Sequence, residues 1–356
     1  LIMSEVPASA AAVYTKNLVK GAPLTVTKNN IANGTAQAVI CNSGNANTCN
    51  ANGIEIAEQM CALVGKTTGI KADDVIVAST GVIGQPLSID PISDKIEELA
   101  AGLGDKSDLA CEAIMTTDTT IKEVAVEFEL GGKVCRMGGI AKGSGMIHPN
   151  LATMLIFITS DVAISSEMLQ KALKADVNKT FNMISVDGDT STNDTVAIIS
   201  NGMAGNKLIN SEGEEYEVFC KALYMITSKL CKMLAADGEG ATKLLECIVT
   251  GGKDVQTAQT VAKSVICSSL LKAAMFGADA NWGRVLCAIG YSGADVDINK
   301  IDVAFKSAKG ELPVCKNGAG IPFSEEKAKE ILLENEIDIL IDLNDGASCA
   351  TAWGCD

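Results

Sequence analysis

Residues 142–155 read KGSGMIHPNLATML, and this stretch decides how the chain is organised. Its first part is a loop of Gly, Pro and Asn, and from Met154 an apolar run typical of a buried strand follows without a break. Thr153 stands at the junction of loop and strand. A threonine in this place is an ordinary β-residue, or it is a nucleophile that the loop exposes.

A threonine hydroxyl is a weak nucleophile unless a base lies beside it. One solution is to make Thr153 the first residue of a new chain, because its own α-amine then serves as the base. This requires cleavage of the Ala152–Thr153 bond. The hydroxyl attacks the preceding carbonyl, an N-to-O acyl shift follows, and water hydrolyses the ester. The pattern alone leaves both interpretations open.

Strand and helix patterns alternate on both sides of the junction. Strands are predicted at 35–41, 75–79, 123–130, 133–137, 196–200 and 337–343. Helices are predicted at 54–64, 91–101, 107–115, 166–180, 214–235, 254–274 and 324–334. The strands at 123–130 and 133–137 are separated by Gly131-Gly132, which predicts a hairpin. The whole pattern is typical of a glycine-rich α/β enzyme.

Composition excludes several classes of function. The chain has 356 residues, of which 47% are hydrophobic, and a formal net charge of −15 without a basic block. Nucleic acid is therefore not an expected partner. No stretch is long enough for a membrane span. The 13 cysteines form no CxxC pair, and His148 is the single histidine. We expect reduced thiols in a cytoplasmic protein, no metal site, and a Ser-His-Asp triad only if His148 were its base.

Four further segments have residue types that suit a functional site. The turn at 79–84, STGVIG, follows a strand and could direct backbone N–H groups at an oxyanion, although on local grounds alone a plain strand-to-loop turn is the preferred explanation. The loop containing Lys142 lacks the P-loop spacing. The segment 186–194, VDGDTSTND, lacks the Gly and Glu of a calcium loop, so we expect a hydrogen-bonded turn network. Glu239 stands between two glycines, as a solvated residue or a partner for a cationic group.

Together these segments resemble the ornithine acetyltransferase family, the glutamate N-acetyltransferases of arginine biosynthesis. The resemblance covers essentially the whole chain. Besides KGSGMIHPNLATML, the matching motifs, in family order, are PASAAAVYTKN (7–17), AVICNSGNANTCNANG (38–53), ASTGVIG (78–84), IMTTDT (114–119), VDGDTSTNDT (186–195), DGEGATK (237–243), GADANWGR (277–284) and NDGASCATAWGCD (344–356).

The resemblance implies a self-cleaving enzyme in which Thr153 takes the acetyl group of N-acetylornithine and passes it to glutamate by a ping-pong mechanism. It also implies that Thr80 and Gly81 form the oxyanion hole. The implied substrate-binding residues are Thr116, preferred over Thr117, with Lys142, Thr153 and Glu239. No cofactor is implied, but some members of the family accept acetyl-CoA as donor.

The implied fold is a mixed α/β, layered α-β-β-α sandwich like that of N-terminal-nucleophile enzymes. Residues 1–152 would form an α-chain with the oxyanion hole, and residues 153–356 a β-chain that begins with the nucleophile. The two would stay interlocked as one globule and pair into a heterotetramer. The chain lacks an initial Met and ends at WGCD, so we expect residues to be missing at both ends.

Two other functions remain open from the sequence. The first is an N-terminal-Thr amidase or aminopeptidase of related fold, in which water instead of glutamate accepts the acyl group. The second is an uncleaved homologue that serves as a binding or scaffold protein, with Thr153 an ordinary strand residue. The first is separated from the transferase by glutamate-dependent formation of N-acetylglutamate, and the second by an intact bond at 152–153.

Overall fold

A computed structural model describes residues 1–147 and 154–356. The strands are β1 (Ile2–Tyr14), β2 (Thr35–Asn42), β3 (Val75–Ser79), β4 (Lys122–Leu130), β5 (Lys133–Lys142), β6 (Leu155–Ser160), β7 (Ile184–Ser185), β8 (Thr195–Ser200), β9 (Leu244–Gly252), β10 (Asp302–Ser307), β11 (Gly310–Lys316), β12 (Ala319–Gly320), β13 (Glu336–Asp342) and β14 (Ser348–Cys355). The helices are α1 (Ala22–Asn30), α2 (Gly53–Thr68), α3 (Asp90–Ala101), α4 (Ser107–Ile114), α5 (Ser166–Val177), α6 (Glu214–Ala236), α7 (Val255–Ile266), α8 (Ser269–Phe276), α9 (Trp282–Gly290) and α10 (Glu325–Leu332).

The described residues fall into two compact units, each built around one seven-stranded sheet. The first unit contains described residues of 1–146, 154–178 and 189–230, and its strand order is β3-β2-β1-β8-β6-β5-β4. The second contains residue 147 with 179–188 and 231–356, and its order is β12-β11-β10-β13-β9-β14-β7. The prediction of a mixed α/β fold is confirmed.

The part of the first sheet formed by β2 and β3 is buried on both faces. Side chains alternate along a strand, so neighbouring residues enter different cores. Val39 and Ile76 pack in one apolar cluster with Phe157 of β6. Ile40 and Val77 pack in another, together with residues of α1 and α2. This explains why the two strands read as continuous apolar runs, which is typical of a sheet with helices on both sides.

The hairpin of β4 and β5 forms as predicted. Gly131 and Gly132 both have positive φ, at 54° and 76°, which a two-residue turn of this kind requires. The pairing then runs from Leu130 opposite Lys133 to Lys122 opposite Ala141. β5 is longer than predicted and reaches Lys142. The hairpin therefore ends at Lys142, where the stretch 142–155 begins.

The single helix predicted at 254–274 is wrong, because two helices occupy that range. α7 ends at Ile266, and α8 begins at Ser269. The side chain of Ser268 accepts a hydrogen bond from the N–H of Leu271, so it caps a new helix where the pattern predicted continuation. Apolar periodicity persists across the break and therefore concealed it.

The strand that follows the junction lies inside the first sheet. β6 pairs antiparallel with β5, with Leu155 opposite Lys142, and parallel with β8, with Leu155 opposite Thr195. Segments from before and after residue 153 thus share one set of sheet hydrogen bonds. Among the described residues, no helix is both long and apolar enough to cross a membrane.

Candidate active site

The predicted cleavage bond and nucleophile, Ala152 and Thr153, lie outside the described residues, and so does His148. The next residue, Met154, is described and is held at both backbone groups. Its N–H donates to the Asp194 carboxylate at 2.9 Å, and its carbonyl accepts from the N–H of Thr195 at 3.1 Å. The chain is thus fixed in position one residue after Thr153.

The predicted oxyanion turn begins directly after β3. Thr80 is 3% exposed, and its N–H donates to the carbonyl of Asn42 at 3.0 Å. Gly81 has φ of +129°, and a β-carbon there would collide with the backbone of Gly44. The N–H of Val82 donates to the carbonyl of Gly44 at 3.1 Å. Only glycine therefore fits at position 81, because both the conformation and the close approach exclude a side chain.

A buried amide holds this turn against the neighbouring loop. The side chain of Asn193 donates to the carbonyl of Ala46 at 2.6 Å and to that of Ser79 at 2.9 Å. Its oxygen accepts from the hydroxyl of Thr48 at 2.7 Å. The predicted hydrogen-bonded turn network in the segment 186–194 is thus confirmed for this part of it. Its consequence is rigidity at the residue that precedes Thr80.

Lys142 joins the other predicted residues of the first unit. Its ammonium donates to the hydroxyl of Thr116 at 2.9 Å and to that of Thr80 at 3.3 Å. Thr117 instead shares a hydrogen bond of 2.6 Å with the hydroxyl of Ser144. The geometry therefore favours Thr116 over Thr117 as the neighbour of the ammonium. The substrate-binding role of either residue stays a prediction.

Sequence reasoning missed the most highly charged part of this site. Asp118 is 9% exposed and forms an ion pair of 2.7 Å with Lys122, whose side chain is fully buried. Its second oxygen lies 3.8 Å from the ammonium of Lys142. The spacing of four residues is no signal for the first pair, because the i,i+4 rule holds on a helix and these residues lie between α4 and the start of β4. Nothing in the sequence indicates that Lys142 joins them.

The charges of the cluster are set by burial and by one another. Burial lowers the pKa of Lys142, while the Asp118 carboxylate acts in the opposite direction. Burial would raise the pKa of Asp118, but hydrogen bonds from Lys122 and the N–H of Gly143, with the charges of Lys142 and Lys122, lower it overall. The carboxylate is thus ionised at neutral pH, as a strong acceptor beside two ammonium groups.

Glu239 belongs to the second unit. It lies in the short turn that follows α6 and is exposed to solvent. Its carboxylate is therefore available to a ligand, and its proposed contact with a substrate amine stays a prediction.

The arrangement of the first unit suits recognition of an anion. The buried ammonium of Lys142 meets the hydroxyl groups of buried Thr80 and exposed Thr116 beside a rigid glycine turn, and burial strengthens the electrostatic effect of the ammonium. Such groups can bind a carboxylate or stabilise the oxyanion of an acyl transfer step.

Comparisons with known proteins agree with this chemistry. The model of the ArgJ family matches residues 1–356. The arginine biosynthesis bifunctional protein ArgJ of Caldanaerobacter subterraneus subsp. tengcongensis is 49% identical, covering 100% of this chain and 89% of its own. ArgJ 1 of Clostridium acetobutylicum is also 49% identical, covering 100% and 88%. A crystal structure of ArgJ from Bacillus halodurans is 45% identical with a TM-score of 0.54, covering 56% of this chain and 92% of that one.

Fold, site and matches together define an acyltransferase. The chain belongs to the ArgJ family. The family predicted from the ordered motifs and the prediction of an acyltransferase are both confirmed.

Proposed function

We propose that this protein transfers the acetyl group of N-acetylornithine to glutamate through an acetyl ester on Thr153. The Ala152–Thr153 bond is first cleaved by the protein itself, which frees the α-amine of Thr153 as a base. Thr153 then attacks the acetyl carbonyl, and ornithine leaves with the proton that its nitrogen requires. Glutamate attacks the ester, N-acetylglutamate is released, and the Thr153 hydroxyl is restored.

The observation that carries this proposal is the convergence of Lys142, Thr116 and Thr80 beside the strand that follows Thr153. Lys142 pairs in the sheet with Leu155, which follows the proposed nucleophile closely in sequence. Both substrates carry an α-carboxylate, which a buried ammonium binds strongly. A single carboxylate site serving both substrates in turn is what a ping-pong mechanism needs.

The remaining roles follow from the chemistry of the groups. The Thr80 hydroxyl and the Gly81 N–H donate to the oxyanion of each tetrahedral intermediate. Glu239 accepts a hydrogen bond from the side-chain amine of N-acetylornithine, and the side chain of glutamate has no amine. Acetyl-CoA serves as a second acetyl donor to Thr153, and no resident cofactor takes part.

The two fragments stay associated after cleavage in this proposal, and two such pairs form a heterotetramer. Support comes from β6, which follows the bond and lies between β5 and β8 of one sheet. Separating the fragments would break the pairing of β5 with β6 and expose buried apolar residues.

The first experiment is a mass measurement of the purified, denatured protein, followed by an assay of N-acetylglutamate. We expect two fragments that correspond to 152 and 204 residues of the printed sequence, and acetyl transfer that depends on glutamate. The Thr153→Ala variant should remain a single chain and form no acetyl ester. Thr159→Ala, in β6 and away from the junction, is the matched control and should still be cleaved.

Three results would contradict the proposal. An intact wild-type chain with full activity would exclude the α-amine of Thr153 as base. Fragments that hydrolyse N-acetylornithine without accelerating in glutamate would instead define an amidase. An intact chain that binds ligands without turnover would indicate a binding protein.

A further inference from the structure

We propose that Asp118 is a positioning residue, which holds the Lys142 ammonium in place and charged for a substrate carboxylate, while Lys122 is the second cation on the same carboxylate. The inference rests on the proposed function, in which Lys142 binds that carboxylate. Neither Asp118 nor Lys122 would touch the substrate, so their effect passes through Lys142.

The first support is the number of donors that meet at Asp118. One oxygen accepts from the ammonium of Lys122 at 2.7 Å and from the N–H of Gly143 at 2.6 Å. The other accepts from the N–H of Thr116 at 3.2 Å and lies 3.8 Å from the ammonium of Lys142. The Asp118 carboxylate therefore holds two backbone segments, one at Thr116 and one at Gly143, which directly follows Lys142.

The second support is the balance of charge. Two buried ammonium groups face one buried carboxylate, so the three groups together carry one surplus positive charge. A second anion at Lys142 would be stabilised by that positive charge. Thr116, whose hydroxyl accepts from Lys142 at 2.9 Å, is exposed to solvent. A substrate carboxylate is an anion of the right size and charge.

Other groups also act on the charge of Lys142. In their ionised forms, Cys41 of β2 and Asp194 before β8 would favour the charged form of Lys142, and Lys122 of β4 opposes it. Asp118 makes the largest favourable contribution. Removing its charge should therefore lower the pKa of Lys142, and removing the charge of Lys122 should raise it. A purely structural role for Asp118 predicts no such opposite pair of shifts.

The test compares Asp118→Asn with Lys122→Gln in the full chain, with Asp105→Asn as control because Asp105 is exposed. Lysines carrying ¹³C at Cε report the titration of Lys142 by NMR, and Lys142→Arg assigns its signal. We expect a midpoint below the wild-type value in Asp118→Asn, above it in Lys122→Gln, and unchanged in Asp105→Asn. This readout needs no activity, so it separates failure of the inference from failure of the proposed function.

Kinetics supply the second readout. In Asp118→Asn the alkaline limb of kcat/KM for glutamate should move to lower pH, and KM should rise more than kcat falls. Asp118→Glu keeps the charge and should restore part of the wild-type pH profile. An unchanged Lys142 midpoint in folded Asp118→Asn, or a shift of the same sign in both variants, would overturn the inference. If Asp118→Asn does not fold, Asp118→Glu takes its place, and a Lys142 midpoint and a KM for glutamate that both stay at the wild-type values in this variant would overturn the inference.

Discussion

Asp194 accepts a hydrogen bond of 2.9 Å from the backbone N–H of Met154, the residue that follows the proposed nucleophile. Its other carboxylate oxygen is buried without a hydrogen-bond partner among the described residues. Burial raises the pKa of Asp194 well above its usual range, against the opposing effect of the Met154 N–H. The hydrogen bond from Met154 to Asp194 fixes the start of β6, and the contribution of this carboxyl group to the free energy of unfolding depends on pH.

The first prediction is that Asp194→Asn changes how stability depends on pH. Because the folded pKa is raised, the contribution of this carboxyl to stability is complete below about pH 4 and is lost as pH rises toward the folded value. Asparagine stays neutral, so the free energy of unfolding of the variant should increase relative to that of the parent protein between about pH 5 and about pH 8. Urea unfolding in the uncleaved Thr153→Ala background measures the difference. If the free energy of unfolding differed between variant and parent by the same amount at about pH 5 and at about pH 8, the raised pKa would be contradicted.

The second prediction concerns Thr80. Replacing it with Ala removes one proposed oxyanion donor and one acceptor of Lys142, so kcat should fall by roughly 10²–10³-fold. Thr80→Ser keeps the hydroxyl and should retain most of the activity. Steady-state rates of acetyl transfer provide the measurement. Equal activity in the Ala and Ser variants would show that the hydroxyl has no part in the reaction.

The third prediction separates backbone strain from close approach at the glycine turn. Gly81 and Gly84 both have positive φ, but only a β-carbon on Gly81 meets another part of the backbone. Gly84→Ala should destabilise the protein by about 1 kcal/mol through strain. Gly81→Ala should cost more and also disturb the oxyanion turn. Thermal unfolding and activity of both variants, measured together, provide the check, and equal losses would contradict the collision with Gly44.

The fourth prediction divides the two substrates between Lys142 and Glu239. Loss of a charge-assisted hydrogen bond costs about 1.5–3 kcal/mol, which is roughly 10–100-fold in KM. Lys142→Met should raise KM for both N-acetylornithine and glutamate. Glu239→Gln should raise it for N-acetylornithine alone. The two half-reactions, assayed separately, test this prediction. If Glu239→Gln raised KM for glutamate as much as for N-acetylornithine, the proposed contact of Glu239 with the side-chain amine would be contradicted.

The sequence predicted local structure well wherever one residue type was sufficient. Gly131-Gly132 predicted the β4–β5 hairpin, and both glycines have the positive φ that its tight turn needs. It failed at Ser268, because apolar spacing continues through a cap. The ordered motifs identified the family, since many short segments in one order are far more specific than any one of them.

By itself, the sequence determined the class of fold, the family, and the residue types at the proposed site. Only the tertiary structure decided that Asp118 lies between Lys122 and Lys142, and that Asn193 holds the turn before Thr80. The physical reason is that local patterns record which residues are buried and where the chain turns. Hydrogen bonds and ion pairs between residues distant in sequence depend on how the strands pair, and residue spacing along the chain carries no record of that.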